Sequence, residues 1–474
     1  MSQNVLLASV GSDIALQALS ASTTPEPEAV LPSLGHAPSE ITPGKAYPKS
    51  SRNDQRFGPR PSSDDDSPQR PEAQANNQTD AWKMKWRLAS ACLMNFGNGM
   101  NDSAPGALIP YIKDDYDIGY AIVSLVFIAN AAGVNLGYSR SYALSMGLLA
   151  AGYTALACHP PFPVVMAAFF LLGFGMALSI AMNNVFCANM ASPTTALGCF
   201  SGAYGIGGVN APLLATAMVS NDIRWTFFYI VTLGIASLNL FLSSWAFAGY
   251  DENAATSEVS ERASSTYPAA TADSESSTGR LQRLKTAICS HTTLLGALFI
   301  FAYQGAEVSV SGWVFSFLIN YRHGDPYSVG YVSAGFWAGI TLGRFLLVYP
   351  AHRVGEKIAV FIMALGAVGF QLLIWLVPSI IGEAVVVAIL GLLLGPVFPC
   401  STAVFAKLLP RRIQLRSLSF VTALGSSGGA VFPFMTGILA QRVGTLVLHP
   451  VCLGLYAVMG ISWCCLPRIS KRSE

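Results

Sequence analysis

The chain has 474 residues, of which 52% are hydrophobic and only 11% charged, against about 25% charged in soluble globular domains. That deficit argues against a water-facing globular enzyme and for a chain whose largest surface meets a lipid bilayer. A formal net charge of +2 gives no reason to expect nucleic acid as a partner.

Residues 1–85 are rich in Ser, Pro, Asp, Glu, Asn and Gln, as in Arg60-Pro61-Ser62-Ser63-Asp64-Asp65-Asp66. Such a stretch cannot bury enough apolar surface to offset its chain entropy, so a disordered tail is expected. The short apolar stretch Val5–Ala8 lacks the basic flank and length of a signal peptide. From Trp86 onward, apolar runs of about 20 residues follow one another, the length that crosses a hydrocarbon core. Helices are expected near 88–111, 118–138, 141–157, 163–187, 195–219 and 225–248, forming a first bundle over 86–250. A polar linker, 251–286, separates them from spans near 291–320, 327–349, 357–377, 382–406, 414–440 and 446–466, a second bundle over 287–467 with a short tail at 468–474. The expected fold is an all-α polytopic membrane protein with twelve transmembrane helices in two six-helix halves.

Basic residues orient these spans. Lys83, Lys85, Arg87, Arg140, Arg280, Arg283, Lys285, Arg353, Lys357, Lys407, Arg411, Arg412, Arg416, Arg468, Lys471 and Arg472 all fall on one side of a twelve-span chain. The other side holds only Lys113, Arg224, Arg322 and Arg442. Both termini and the linker are therefore expected in the cytoplasm, the protein lying in the plasma membrane or in a vacuolar or other internal membrane. Two sequons, at Asn77 and Asn101, fall in the cytoplasm and in the membrane on this topology and should carry no glycan.

The nine cysteines sit mostly in apolar runs with no C-x-x-C spacing or paired His, and read as small core residues. No nucleophile–base set, metal cluster or phosphate-binding loop is visible, so neither enzyme chemistry nor a cofactor is expected.

The halves repeat. Gly207-Gly208-Val209-Asn210-Ala211-Pro212 and Gly428-Gly429-Ala430-Val431-Phe432-Pro433 both read G-G-x-x-x-P at an offset of 221, and Val185-Phe186 matches Val404-Phe405 at 219. Val123-Ser124 and Val332-Ser333 differ by 209, whereas Gly137 and Gly355 differ by 218. The first half therefore lacks about nine residues at the turn between its second and third spans.

Gly343-Arg344 at a helix end, followed by Arg353-Val354-Gly355-Glu356-Lys357, resembles the loop signature of the major facilitator superfamily. Phe96-Gly97-Asn98-Gly99-Met100-Asn101-Asp102 resembles the first helix of its fucose–proton symporter branch, and Asn183-Asn184-Val185-Phe186-Cys187-Ala188-Asn189, Ser201–Gly208 and Ala302–Trp313 are similar to fungal members of that branch. The resemblance covers 86–467. It implies the major facilitator fold, alternating access, a solute and protons as partners, and a proton-carrying role for Asp102. Two departures stand out: the first-half loop signature is missing, and Ser179 occupies the fourth-helix position of a bacterial glutamate.

Within the spans the ionisable groups are Asp102, Glu307 and Arg344, with Glu383 near a helix end. Such groups are costly in a membrane and tend to be functional. Asn95, Asn98 and Asp102, spaced i, i+3 and i+7 and joined by Asn101, share one helical face that would line a wet cavity. Asp102 either cycles a proton there or is held permanently by the Asn cluster. Glu307, with Gln304 and Ser311 on its face, binds substrate or carries a proton, or else makes an interhelical bond. Arg344 is expected to snorkel or cap its helix as part of the gating loop signature Gly343, Arg344, Arg353, Gly355 and Lys357, rather than to touch substrate. Asn183, Asn184, Asn189, Tyr204, Asn210 and Trp337 are candidates either for the cavity or for helix–helix bonding. Proton-coupled movement of a small organic solute, a sugar-like molecule or a secondary metabolite, is the functional expectation. The alternative is a non-transporting sensor, or a variant inactivated by the short turn.

Overall fold

Backbone groups in hydrocarbon must be satisfied within their own segment, and the described residues accordingly form helices and short turns. The structure, a computed structural model, describes residues 71–125, 127, 138–188, 190, 192–247 and 290–467. The first half contains α1 (Pro71–Asp115), α2 (Tyr120–Val123), α3 (Tyr138–Ala157), α4 (Phe162–Ala188), α5 (Pro193–Ser220) and α6 (Phe228–Ala246). The second contains α7 (His291–Asn320), α8 (Pro326–Leu346), α9 (Val348–Val354), α10 (Glu356–Leu376), α11 (Ile380–Leu394), α12 (Val397–Leu408), α13 (Arg411–Val443) and α14 (Leu448–Cys464). Eleven of the twelve expected spans are helical where they were expected, and α2 is the described start of the other. The rest of that second span, the shortened turn into α3, Asn189 and the linker lie outside the described residues.

Among the described residues, seven helical segments are long and apolar enough to cross a membrane, and eight when the bent pair α8–α9 is one span. Two that fall short are polar for internal reasons: α1 carries Asn95, Asn98, Asn101 and Asp102 in its apolar stretch, and α5 is rich in Gly, Ser and Thr. Burial follows membrane logic. On α10, Ile358, Phe361, Ile362, Leu365, Leu372, Leu373 and Leu376 are exposed along one face, while Ala359, Met363, Ala367, Gln371 and Ile374 turn inward. The exposed stripe is the lipid face.

Two expectations are corrected. The tail expected to be unstructured up to residue 85 is helical from Pro71; polar sequence hides helix from a reading based on apolar periodicity. The eighth span, expected over 327–349, ends at Leu346, and α9 departs from it by 48°. Pro350 explains the break: it lacks an N–H and would clash inside a continuous helix, but is tolerated in the first turn of a new one. The tenth span splits at Gly395-Pro396, as its sequence suggests, with Pro399 again in the first turn of the following helix.

The internal repeat reappears as packing. α1 packs chiefly on α5 and α7 chiefly on α13, the corresponding pair in each half. The G-G-x-x-x-P elements permit this. A Cβ on Gly207 would lie 2.0 Å from the carbonyl oxygen of Phe96, and one on Gly428 2.0 Å from that of Phe301. Pro212 and Pro433 sit inside uninterrupted helices. We expect Gly207→Ala and Gly428→Ala each to destabilise by about 1–3 kcal/mol, because backbone must move to admit the methyl. Gly234→Ala, where the methyl meets nothing within 4 Å, should change stability by no more than about 1 kcal/mol. Thermal unfolding of the three purified variants checks the contrast.

Candidate functional site at the junction of the halves

The asparagine face of α1 is buried, and most of its amides tie helices together. Asn98 Nδ2 donates to Ser179 Oγ at 3.3 Å and Asn101 Nδ2 to the Met176 sulfur at 2.9 Å, both on α4. Asn95 Nδ2 donates to the Phe200 carbonyl of α5 at 2.7 Å. These residues are fully buried bundle ties rather than the open cavity lining that the sequence suggested. Helical spacing identifies a shared face but not whether water or another helix covers it. Asn183 and Asn184, also buried, have no hydrogen-bond partner among the described residues. Asn210 is exposed, donates to the Ile206 carbonyl of its own helix at 2.8 Å, and is not brought to the junction.

Asp102 is placed differently. It is half-buried, and its Oδ2 accepts from the Tyr204 hydroxyl of α5 at 2.7 Å. The Tyr204 ring packs edge-on against Trp337 of α8, centroids 6.0 Å apart. Gly208, one turn beyond Tyr204, leaves room for the same indole. This strip of α5 against α8 joins the halves, continued by Gly205 against Thr341 and Gly202 against Phe345.

From the second half, Arg344 Nη2 lies 3.6 Å from Glu307 Oε1, with Glu307 almost fully buried. Tyr303, one turn before Glu307 on α7, interacts with both and donates its hydroxyl to the Leu394 carbonyl at 3.1 Å. Tyr204 is within electrostatic reach of Asp102, Arg344 and Glu307 together. The expectation that Arg344 snorkels to the surface is therefore corrected. Side chains lean toward a helix's N-terminus, so a residue in the last turn of α8 points back into the span. Two carboxylates, one guanidinium and two phenols thus converge from α1, α5, α7 and α8. Trp337 Nε1 and Glu307 Oε2 are buried there with no hydrogen-bond partner among the described residues. Gln304 is buried on α7 beside them in sequence. Tyr303 was not singled out from the sequence, although its i, i+4 spacing to Glu307 on an apolar helix carries the signal.

The junction lies directly beneath a seam between the halves. Gly106, one turn after Asp102, approaches the Ser311 carbonyl, one turn after Glu307, closely enough that a Cβ would fall 2.3 Å from it. Beyond that point Tyr120 packs on Trp313 with centroids 5.3 Å apart, Asn320 donates to the Tyr120 hydroxyl at 2.8 Å, and Ser124 donates to the Phe434 carbonyl at 3.3 Å.

The loop-signature residues other than Arg344 fasten the helices of the second half to one another. Gly355, at φ +102°, turns α9 into α10. Lys357 Nζ donates to the Leu466 and Pro467 carbonyls at 2.9 and 3.0 Å, capping α14. Glu356 pairs with Lys407 at 2.7 Å, Arg353 stacks on Tyr349, and Gly343 lets α8 close on the Leu392 carbonyl of α11. Glu383, the remaining ionisable group noted in the spans, pairs with Arg322 at 2.7 Å near the opposite surface.

Known proteins share this architecture. Over 420 residues the chain is 26% identical to bypass of stop codon protein 6 of Saccharomyces cerevisiae, covering 81% of this chain and 83% of that protein. It is 28% identical over 187 residues to a glucose/galactose transporter of Brucella abortus, which is 35% of this chain and 41% of that protein. Among solved structures, a bacterial homologue of the human lysosomal transporter Spinster, inward-facing and unoccupied, aligns with TM-score 0.56 at 11% identity, over 81% of this chain and 96% of that one. That likeness concerns the fold alone. The description Major Facilitator Superfamily matches residues 91–433. On that match, and on the two repeated helical halves, the chain belongs to the major facilitator superfamily, integral multi-pass membrane proteins that move small solutes.

Proposed function

We propose that the protein is a proton-coupled secondary transporter of a small polar organic solute, sugar-like or a secondary metabolite, working by alternating access about the junction of its halves. The observation that carries this reading is the convergence of Asp102, Tyr204, Glu307, Tyr303 and Arg344 there, beside the unsatisfied Trp337 Nε1 and Glu307 Oε2. Transporter sites of this class lie near the bilayer midplane between the repeats. Buried hydrogen-bonding capacity left open at that depth suits a hydroxyl-rich or otherwise polar solute.

Glu307 lies 3.6 Å from Arg344, so a proton on Glu307 would leave that guanidinium without its counter-charge, at a cost in a membrane interior. Asp102, which accepts from the Tyr204 hydroxyl and stands at the proton-carrying position of the branch the chain resembles, is the proton carrier in this reading, and Glu307 the residue that seats Arg344. Resemblance to the fucose–proton symporter branch and the relative named a glucose/galactose transporter support a sugar-like solute. In this reading the loop signature serves the gate by keeping the second half rigid, and the distribution of basic residues supports cytoplasmic termini in a protein of the plasma membrane or an internal one.

Reconstitution in liposomes with an imposed pH gradient and a panel of sugars and secondary metabolites tests the reading. Gradient-driven accumulation of at least one of them is expected. Solute flux indifferent to the gradient would remove the proton from the mechanism, and absence of flux for the whole panel would favour a sensor.

A further inference from the structure

Where α1 and α6 leave the bundle at the end that carries the N-terminus, three tryptophans meet. The centroids of Trp82 and Trp86 are 6.1 Å apart, those of Trp82 and Trp245 5.4 Å, and those of Trp86 and Trp245 5.7 Å, each pair edge-to-face. They are nevertheless 49%, 39% and 46% exposed, so the cluster presents its rings outward instead of burying them. Its frame is fixed. Arg87 Nε donates to the Ala246 carbonyl at 3.0 Å, closing the end of α6 against α1, and its guanidinium lies over Phe247. Lys85 is exposed and Lys83 half-buried. At about 100° per residue, the two lysines flank the Trp82–Trp86 face on either side, each about 80° from its centre.

We propose that this cluster binds the head group of an anionic phospholipid. Indoles favour the level where acyl chains meet head groups, because one edge is apolar and the other donates a hydrogen bond. Two ammonium groups beside them supply charge complementarity for a phosphate and a second anionic group, and basic residues at the membrane surface favour anionic over zwitterionic lipid. The ring faces would take the upper acyl chains. Position favours lipid over a protein partner: the cluster lies just before the apolar stretch of α1 begins, at residue 88, and just where that of α6 ends.

Native mass spectrometry of the full-length protein with phosphatidylserine or phosphatidylcholine of identical acyl chains tests the assignment. Wild type should retain phosphatidylserine preferentially. Lys83→Gln/Lys85→Gln should weaken that retention about tenfold or more while leaving phosphatidylcholine unchanged. Trp82→Leu/Trp86→Leu/Trp245→Leu, which keeps the apolar surface, should weaken retention of both lipids. Equal retention of the two lipids by wild type, or a preference untouched by the lysine changes, would overturn the proposal. So would a dimer that the leucine variant abolishes, which would make the occupant a second copy of the chain. The unfolding midpoint of each variant, expected to match wild type without added lipid, separates loss of the site from loss of the fold.

Discussion

Asp102→Asn is expected to abolish gradient-driven accumulation while leaving solute exchange in place. For a neutral solute moved with one proton, a two-unit pH gradient sustains about hundredfold accumulation, since each 1.4 kcal/mol is tenfold. The variant should bring that ratio to one. An amide oxygen at this position still accepts from the Tyr204 hydroxyl, so the contact between α1 and α5 persists and only the exchangeable proton is lost. Counterflow, in which labelled solute enters against unlabelled solute inside, needs no proton cycle and should survive within a few-fold. Tyr204→Phe is the milder companion: it removes one hydrogen bond to a charged acceptor, about 1.5–3 kcal/mol, and should slow transport without uncoupling it. Accumulation by Asp102→Asn equal to wild type would move the proton elsewhere, and Glu307→Gln would then be the variant to uncouple. The orphan Glu307 Oε2 gives that second outcome a definite chemical meaning, because it is a buried carboxylate oxygen at the junction with no hydrogen-bond partner among the described residues.

The parts of this molecule legible in its sequence are those set by the bilayer. Apolar length placed the spans, and Pro350 and Gly395-Pro396 mark real breaks inside two of them, at residues whose chemistry interrupts a helix. The G-G-x-x-x-P pair marks equivalent points in the two halves, and the structure has a close helix crossing at each. What the sequence could not convey was which neighbour each polar face meets. Asn98 and Asp102 are one turn apart on the same helix, yet Asn98 is spent on α4 while Asp102 reaches α5. That difference depends on how α4 and α5 pack around α1, which no local periodicity encodes. Arg344 was misread for a related reason. Its place in a loop signature and near a helix end suggested the surface, while the backward lean of helical side chains sends it to Glu307.

The Arg344–Glu307 pair carries the largest expected energetic effect. Removing one partner of a buried ion pair strands the other, and Glu307 is almost fully buried; Arg344→Gln should therefore cost about 3–5 kcal/mol in stability. The separation of 3.6 Å exceeds hydrogen-bond length, and Arg344 remains a quarter exposed, so the lower end of that range is the better expectation. Arg344→Gln/Glu307→Gln removes both charges and should recover most of the loss, to within about 1 kcal/mol of wild type, because two neutral amides of similar size replace the pair. Transport should fail in the single and the double variant alike, which separates the fold from the work. The double-mutant cycle, read from thermal or denaturant unfolding, isolates the coupling energy. A coupling near zero would mean that Arg344 spends its time at the surface, as its position in the loop signature first implied. A large coupling together with lost transport in the stable double variant fixes the guanidinium as part of the solute site, since nothing else about the fold would then distinguish that variant from wild type.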